Sequence, residues 1–215
     1  MIKFSKSAIA VLAAASLVGC SAGNTESDEP SQSTTPTISA EPSAMPSTEP
    51  SEGGTEIYVY ALPAGIIVGS NEAIAWEALM SPVGEYAAAA MYQAVIDEFG
   101  PMEPYVTIKS AEERHIDALI RQLDRYGVAV PANPYLGVVA APADLTSAAK
   151  AWAVGEIENV DMYDKLLAVA TDSNLERVLT NLRRSSQESH LPLFEAAAEN
   201  GGVLTTDQMM AIQAG

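Results

Sequence analysis

The stretch KSAEERHIDALIRQLDRY, residues 109–126, decides how the rest of this 215-residue chain is read. Leu119, Leu123 and Tyr126 recur at helical spacing, which predicts one helix with an apolar face. Glu112 and His115 begin that face three residues apart, so a carboxylate and an imidazole project together. A charged group left unpaired on a buried face is costly. A metal ion is one partner that satisfies both groups, although a Glu-x-x-His spacing also arises by chance on many helices. The chain has only two histidines. The second, His190, falls on the apolar row of another predicted helix.

Working outward, residues 1–19 combine Lys3 and Lys6, a short apolar run and small residues at the end, which reads as a secretory signal. The apolar run is shorter than the ~20 residues a membrane span needs. Leu17-Val18-Gly19-Cys20 resembles the bacterial lipobox, and that resemblance implies a lipid on Cys20. Residues 20–54 are rich in Ser, Thr, Pro and Glu, with almost nothing to bury, and are expected to be a disordered linker. The expected location is therefore extracytoplasmic, lipid-anchored to a membrane. The folded domain is expected over 55–215. Cys20 is the only cysteine, so an intramolecular disulfide or thiolate cluster is excluded, and any metal falls to His and carboxylate. The net charge of −17, without a basic stripe, argues against nucleic acid as a partner.

Residues 55–69 are apolar around a Pro-Ala-Gly break and are expected to pack along a helical body. Helical periods follow from Ser70. A first segment runs to Met80, and Ser81-Pro82 is expected to cap and open a helix over 82–99, stopped by Gly100-Pro101. Glu85 is the only acidic residue on a face with Ala88, Ala89 and Tyr92. It reads either as a ligand or as a first-turn carboxylate facing the helix dipole. Residues 128–144, with three prolines, read as a long crossover.

A third long helix is expected over 146–170, buried through Trp152, Val154, Ile157, Val160, Met162, Leu166 and Val169. Glu158 and Asp161 share one of its faces, as inward acids or as a solvated stripe, while Glu156 reads as solvated. The fourth helix runs from the cap cluster 171–174 to 199. Its buried row is Leu175, Leu179, Leu182, Ser186, His190, Leu193 and Ala197. Gln187 stands three residues before His190, and Pro192 is expected to kink the helix. Thr205 and Gln208 are spaced as a capping box for a short terminal helix.

This order of Glu, Glu-x-x-His, long link, Ile-Glu-x-x-Asp and a further helix His resembles the ferritin-like superfamily. Within it the chain is similar to the bacterial and archaeal domain of unknown function 2202, over roughly residues 71–198. The closest match is Ala111-Glu112-Glu113-Arg114-His115-Ile116-Asp117-Ala118, against the family's S-E-Q-R-H-M-D-A. Residues 157–162 resemble its I-E-E-L-D-I, and residues 187–194 its S-x-x-H-L-x-x-F. Ala89-Ala90 replaces the Arg-Asp of its first motif, and Gln187 stands where ferritins carry Glu. The resemblance implies an all-α, antiparallel four-helix bundle with one long crossover between its second and third helices. It implies the ligand set Glu85, Glu112, His115, Glu158 and His190, with Asp161 as a sixth, for two ions of iron or manganese. Glu112 and His115 are then expected to face Glu158 and His190 across the core.

Two functions follow as expectations. One is a di-iron or di-manganese oxidoreductase acting on dioxygen, peroxide or ferrous iron, with Tyr92, Tyr126 and Gln187 supporting the ligands. The other is a non-catalytic envelope protein that binds a partner or a structural metal. Expected partners are the membrane through Cys20, a second copy of the chain in a homodimer, and a small oxidant or metal ion. Changing Cys20→Ala should abolish lipid labelling and leave the signal uncut. A mutant still cut and labelled would overturn the anchor.

Overall fold

The computed structural model of the chain describes residues 61–214. The expected signal, Cys20, the linker and the start of the 55–69 lead-in lie outside the described residues. Those described form helices and turns with no strand among them, as an all-α chain should. None of these helices is long and apolar enough to cross a membrane.

Helix α1 (Asn71–Met80) opens on Ser70, whose hydroxyl accepts the Ala73 N–H at 3.3 Å. Helix α2 (Glu85–Phe99) starts later than position 82. Ser81 ends α1 and does not open α2: its hydroxyl donates to Met162 Sδ at 3.2 Å, and the N-cap of α2 is Gly84. A Cβ on Gly84 would stand 2.6 Å from the Ala78 carbonyl oxygen, so this tight entry admits only glycine. Helix α3 (Tyr105–Arg125) begins four residues before Lys109. Helix α4 (Leu145–Leu167) is capped by Asp144, which accepts the Ser147 N–H at 2.7 Å. Asp172 caps α5 (Ser173–Ser185) through the N–H groups of Asn174 and Leu175.

A π turn over Ser186–His190 then joins α5 to α6 (Leu191–Glu199), with the Leu191 N–H bonded to the Ser186 carbonyl five residues back. The irregularity expected at Pro192 is thus taken up just before it, as a wide turn. Helix α7 (Thr206–Ala214) has the expected box, Thr205 N–H to Gln208 Oε1 at 2.7 Å and Gln208 N–H to Thr205 Oγ1 at 3.2 Å.

Helix α2 packs along α3, and α4 along α5, the π turn and α6, while α1 lies on α3. Burial falls into two apolar clusters. One gathers Leu79, Leu119, Leu123, Tyr163 and Leu179; the other gathers Val95, Tyr105, Ile108, Trp152 and Phe194. Along α3, α4 and the α5–α6 helix, the polar residues fall between the two. The lead-in departs from expectation: Leu62 touches the core, but Ile67 and Val68 are 76% and 84% exposed. On α4, Val154 and Ile157 are also exposed, as is Val169 just past its end, and the buried seam is Trp152, Glu156, Asn159, Tyr163 and Leu166. That seam advances by alternating steps of four and three, as one helix face must.

The second cluster is closed by the link from α6 to α7. Tyr105 Oη lies 3.1 Å from the Leu145 carbonyl and 3.0 Å from that of Gly202, and its one proton serves either. Gly202 has φ +90°, and a Cβ there would come within 2.1 Å of the Leu145 carbonyl carbon. Gly202→Ala should therefore lower stability by about 2 kcal/mol or more, through left-handed strain plus overlap with fixed backbone. Neighbouring Gly201 has φ +72° but open space, so Gly201→Ala should cost only the strain, about 1 kcal/mol. Urea unfolding of the two variants checks the order; equal losses would contradict it.

Candidate metal centre

Glu85 is the first residue of α2, Glu112 and His115 stand one turn apart on α3, Glu156 is on α4, and His190 closes the π turn. Glu85, Glu112, Glu156 and His190 are all buried, and His115 is nearly so. They meet around the Glu112 carboxylate. Its Oε2 lies 2.7 Å from His115 Nδ1, and its Oε1 lies 3.0 Å from His190 Nδ1. His115 Nδ1 is also 3.3 Å from Glu85 Oε2, and His190 Nδ1 is 3.4 Å from Glu156 Oε1. The two imidazoles stack, with centroids 5.6 Å apart and planes 24° from parallel. The result is two ligand groups, Glu85–Glu112–His115 and Glu112–Glu156–His190, sharing Glu112.

Supporting residues hold the carboxylates from behind. Tyr92 Oη donates to Glu156 Oε1 at 2.6 Å, and Tyr163 Oη donates to Glu85 Oε1. Ser185 Oγ is 3.1 Å from His190 Nε2 and orients the ring, as outer partners of metal-binding histidines do. Asn159 donates to the Val83 carbonyl at 2.9 Å and accepts from Ser186 Oγ at 2.7 Å, so both amide ends are satisfied.

Within the cluster two polar atoms are left over: His190 Nδ1 and Glu85 Oε2 are buried and make no hydrogen bond. His190 Nδ1 is near carboxylate oxygens without the alignment a hydrogen bond requires. Leaving such atoms unpaired is costly. A cation between these oxygens and nitrogens would supply the partner each lacks. Two imidazoles and three carboxylates, with no thiolate, suit iron or manganese among common ions. The buried groups could hold a metal, and the donor chemistry fits one.

The structure revises several expected site residues. Glu158 and Asp161 are exposed on the outer side of α4, away from the cluster. Glu156, read from sequence as solvated, is 3% exposed and is the α4 ligand candidate. Gln187 is exposed and accepts from Arg183 at 2.5 Å. Tyr126 stands at the far end of α3 beside Asp172, and Tyr163 takes the supporting role expected of it. Tyr92, Glu85, Glu112, His115 and His190 are brought together. Sequence reading missed the site roles of Glu156, Tyr163 and Asn159, and placed Ser186 on the buried row without a role. The signal for the three on α4 was the step of four and three from Trp152 to Leu166.

The electrostatics follow from burial. Burial first, then the Glu112 charge, pushes the Glu85 carboxyl up to about 8. Burial also opposes ionisation of Glu112, but the His190 charge, with contacts from Glu85 and His115, outweighs it and holds Glu112 well below the usual range. Burial alone would lower His115, yet Glu85 and Glu112 raise it to about 10. His190 is raised well above its ordinary value by Glu112 and Glu156 against its own burial. Burial and the adjacent carboxylates push Tyr92 and Tyr163 well above 10, so both remain donors.

No family model, curated protein or solved structure matches the chain.

These shifts fix a pH dependence for the metal-free chain. Between pH 4.5 and 8 the unfolded chain ionises Glu85 while the folded chain keeps its proton, so stability falls as pH rises. Between pH 6.5 and 10 the unfolded chain loses the His115 proton that the folded chain retains, which acts in the same direction. Unfolding free energies from urea titrations, and the midpoints with them, should therefore fall from pH 5 to pH 9, the free energy by on the order of 1 kcal/mol or more. Excess manganese should flatten the fall, because the metal takes the protons' place. A midpoint that rises with pH in metal-free protein would contradict this arrangement.

Proposed function

We propose that this chain is a lipid-anchored, ferritin-like four-helix-bundle protein whose buried cluster holds two ions of iron or manganese. The single observation that carries the reading is the sharing of Glu112 between two three-residue ligand groups. Glu85 and His115 would complete one position, Glu156 and His190 the other. A pair of such ions exchanges electrons with dioxygen, peroxide or ferrous iron, and we assign the chain to that class of redox reaction. The resemblance to the domain of unknown function 2202 supports the same reading. Metal-binding four-helix bundles set a Glu from each of two helices and a Glu-x-x-His from each of the other two around their ions, and this chain supplies that set short of the second Glu-x-x-His glutamate. The lipid on Cys20 would hold the domain at the outer face of a membrane, with the 20–54 linker as its tether.

A second reading, a structural metal or a polar core without catalysis, draws on one observation. Ser186 and Asn159, both buried, are bonded to each other and add no carboxylate to the polar core. Metal content decides between them. The purified chain should bind two equivalents of manganese or ferrous iron. Glu156→Gln should lose about one equivalent, and Glu158→Gln should keep both. If Glu158→Gln loses metal and Glu156→Gln does not, the assignment of the α4 ligand is wrong. If the parent binds none, the polar-core reading replaces it.

A further inference from the structure

A recess of about 60 Å³ runs between α2 and α4 and ends on Glu112 and Glu156. Exposed Pro82 and Glu158 stand at its mouth, and Val83, Ala88, Met91 and Trp152 form walls that are mainly apolar. Gly155 also lines it, and a Cβ built there meets nothing within 4 Å, so α4 leaves open space at that point. The Glu85–His115 side of the cluster contributes no residue to this recess.

The geometry points to this recess as the entry and binding site for a small uncharged ligand, a diatomic or triatomic molecule, at the Glu112–Glu156–His190 group, with Ala88 and Gly155 setting its width. This rests on the metal reading above and adds to it a side of approach and a class of ligand. Size and charge choose the ligand. At about 10–15 Å³ for each water, the recess takes roughly four to six, with no room for an ion at their centre. A hydrated divalent ion carries about six in an octahedral shell and would have to shed them against apolar walls. An anion would meet Glu158 at the mouth and Glu112 and Glu156 at the base, three carboxylates and no cation. An uncharged molecule meets neither obstacle. Helix α2 contributes alanine and α4 glycine where larger side chains would close the gap.

The test has a metal-free and a metal-loaded arm. Crystals of the chain pressurised with xenon should show xenon between α2 and α4, and Gly155→Val should remove it. The chain loaded anaerobically with ferrous iron should bind nitric oxide, an uncharged diatomic probe, at least tenfold more slowly in Gly155→Val, with iron content unchanged. Gly155→Ala should slow it less, and with Ala88→Val it keeps the test intact if Gly155→Val fails to fold. Xenon absent from the recess, or a nitric oxide rate indifferent to these substitutions, overturns the proposal. If the parent takes up no iron, the metal reading fails on its own, and the xenon arm still decides whether the recess receives a small uncharged molecule.

Discussion

Everything in this domain depends on the Glu112 carboxylate being buried between two imidazoles. Taking an unpaired carboxylate out of water costs several kcal/mol even after the protein relaxes around it. Glu112 avoids that cost because His115 reaches one of its oxygens and His190 the other. His115 comes from the same helix, one turn on, but His190 comes from the far end of the chain. The charge on α3 can be buried only when the α5–α6 helix has docked. The next carboxylate, Glu85, is itself buried and stands beside the Glu112 charge, and it keeps its proton to about pH 8. Tight clustering of acids is a poor way to stabilise a fold and a good way to prepare a place for cations.

Stability comes from the flanks. The two apolar clusters lie on either side of the polar band, and each is built from several of the same helices. Helices α3 and α4 run through both, so their middles are fixed by packing at each end. The polar residues are thereby positioned by side chains that carry no chemistry, which is how a precise site is usually supported. The π turn makes the remaining adjustment. Wide turns inside α-helices occur often at functional sites, and here the turn ends on His190 itself. Ser185 on one side of the ring and Glu112 on the other leave that imidazole little freedom.

Much of this was legible in the residues. The Glu112–His115 spacing, the row from Leu175 through His190 to Ala197, and the caps at Ser70, Asp172 and Thr205 each follow from local rules. The α4 ligand candidate was not legible, for a physical reason. Ile157 and Val154 are apolar and exposed, while Glu156 and Asn159 are polar and buried. On that helix the hydrophobic signal points the wrong way at the site itself. The pattern is inverted there because the polar residues that meet the cluster face inward. Tyr163 was hidden likewise, its role set by a carboxylate on another helix. Position 82 misled because Pro after Ser commonly opens a helix, whereas Gly84 is required by the close approach to the Ala78 carbonyl.

The central claim is that Glu112 is shared between two cation positions. Anomalous diffraction from crystals grown with manganese tests it most directly. The account predicts two peaks, one on the Glu85–His115 side of Glu112 and one on the Glu156–His190 side. A single peak, or peaks out at Glu158 and Asp161 with none beside Glu112, would contradict it.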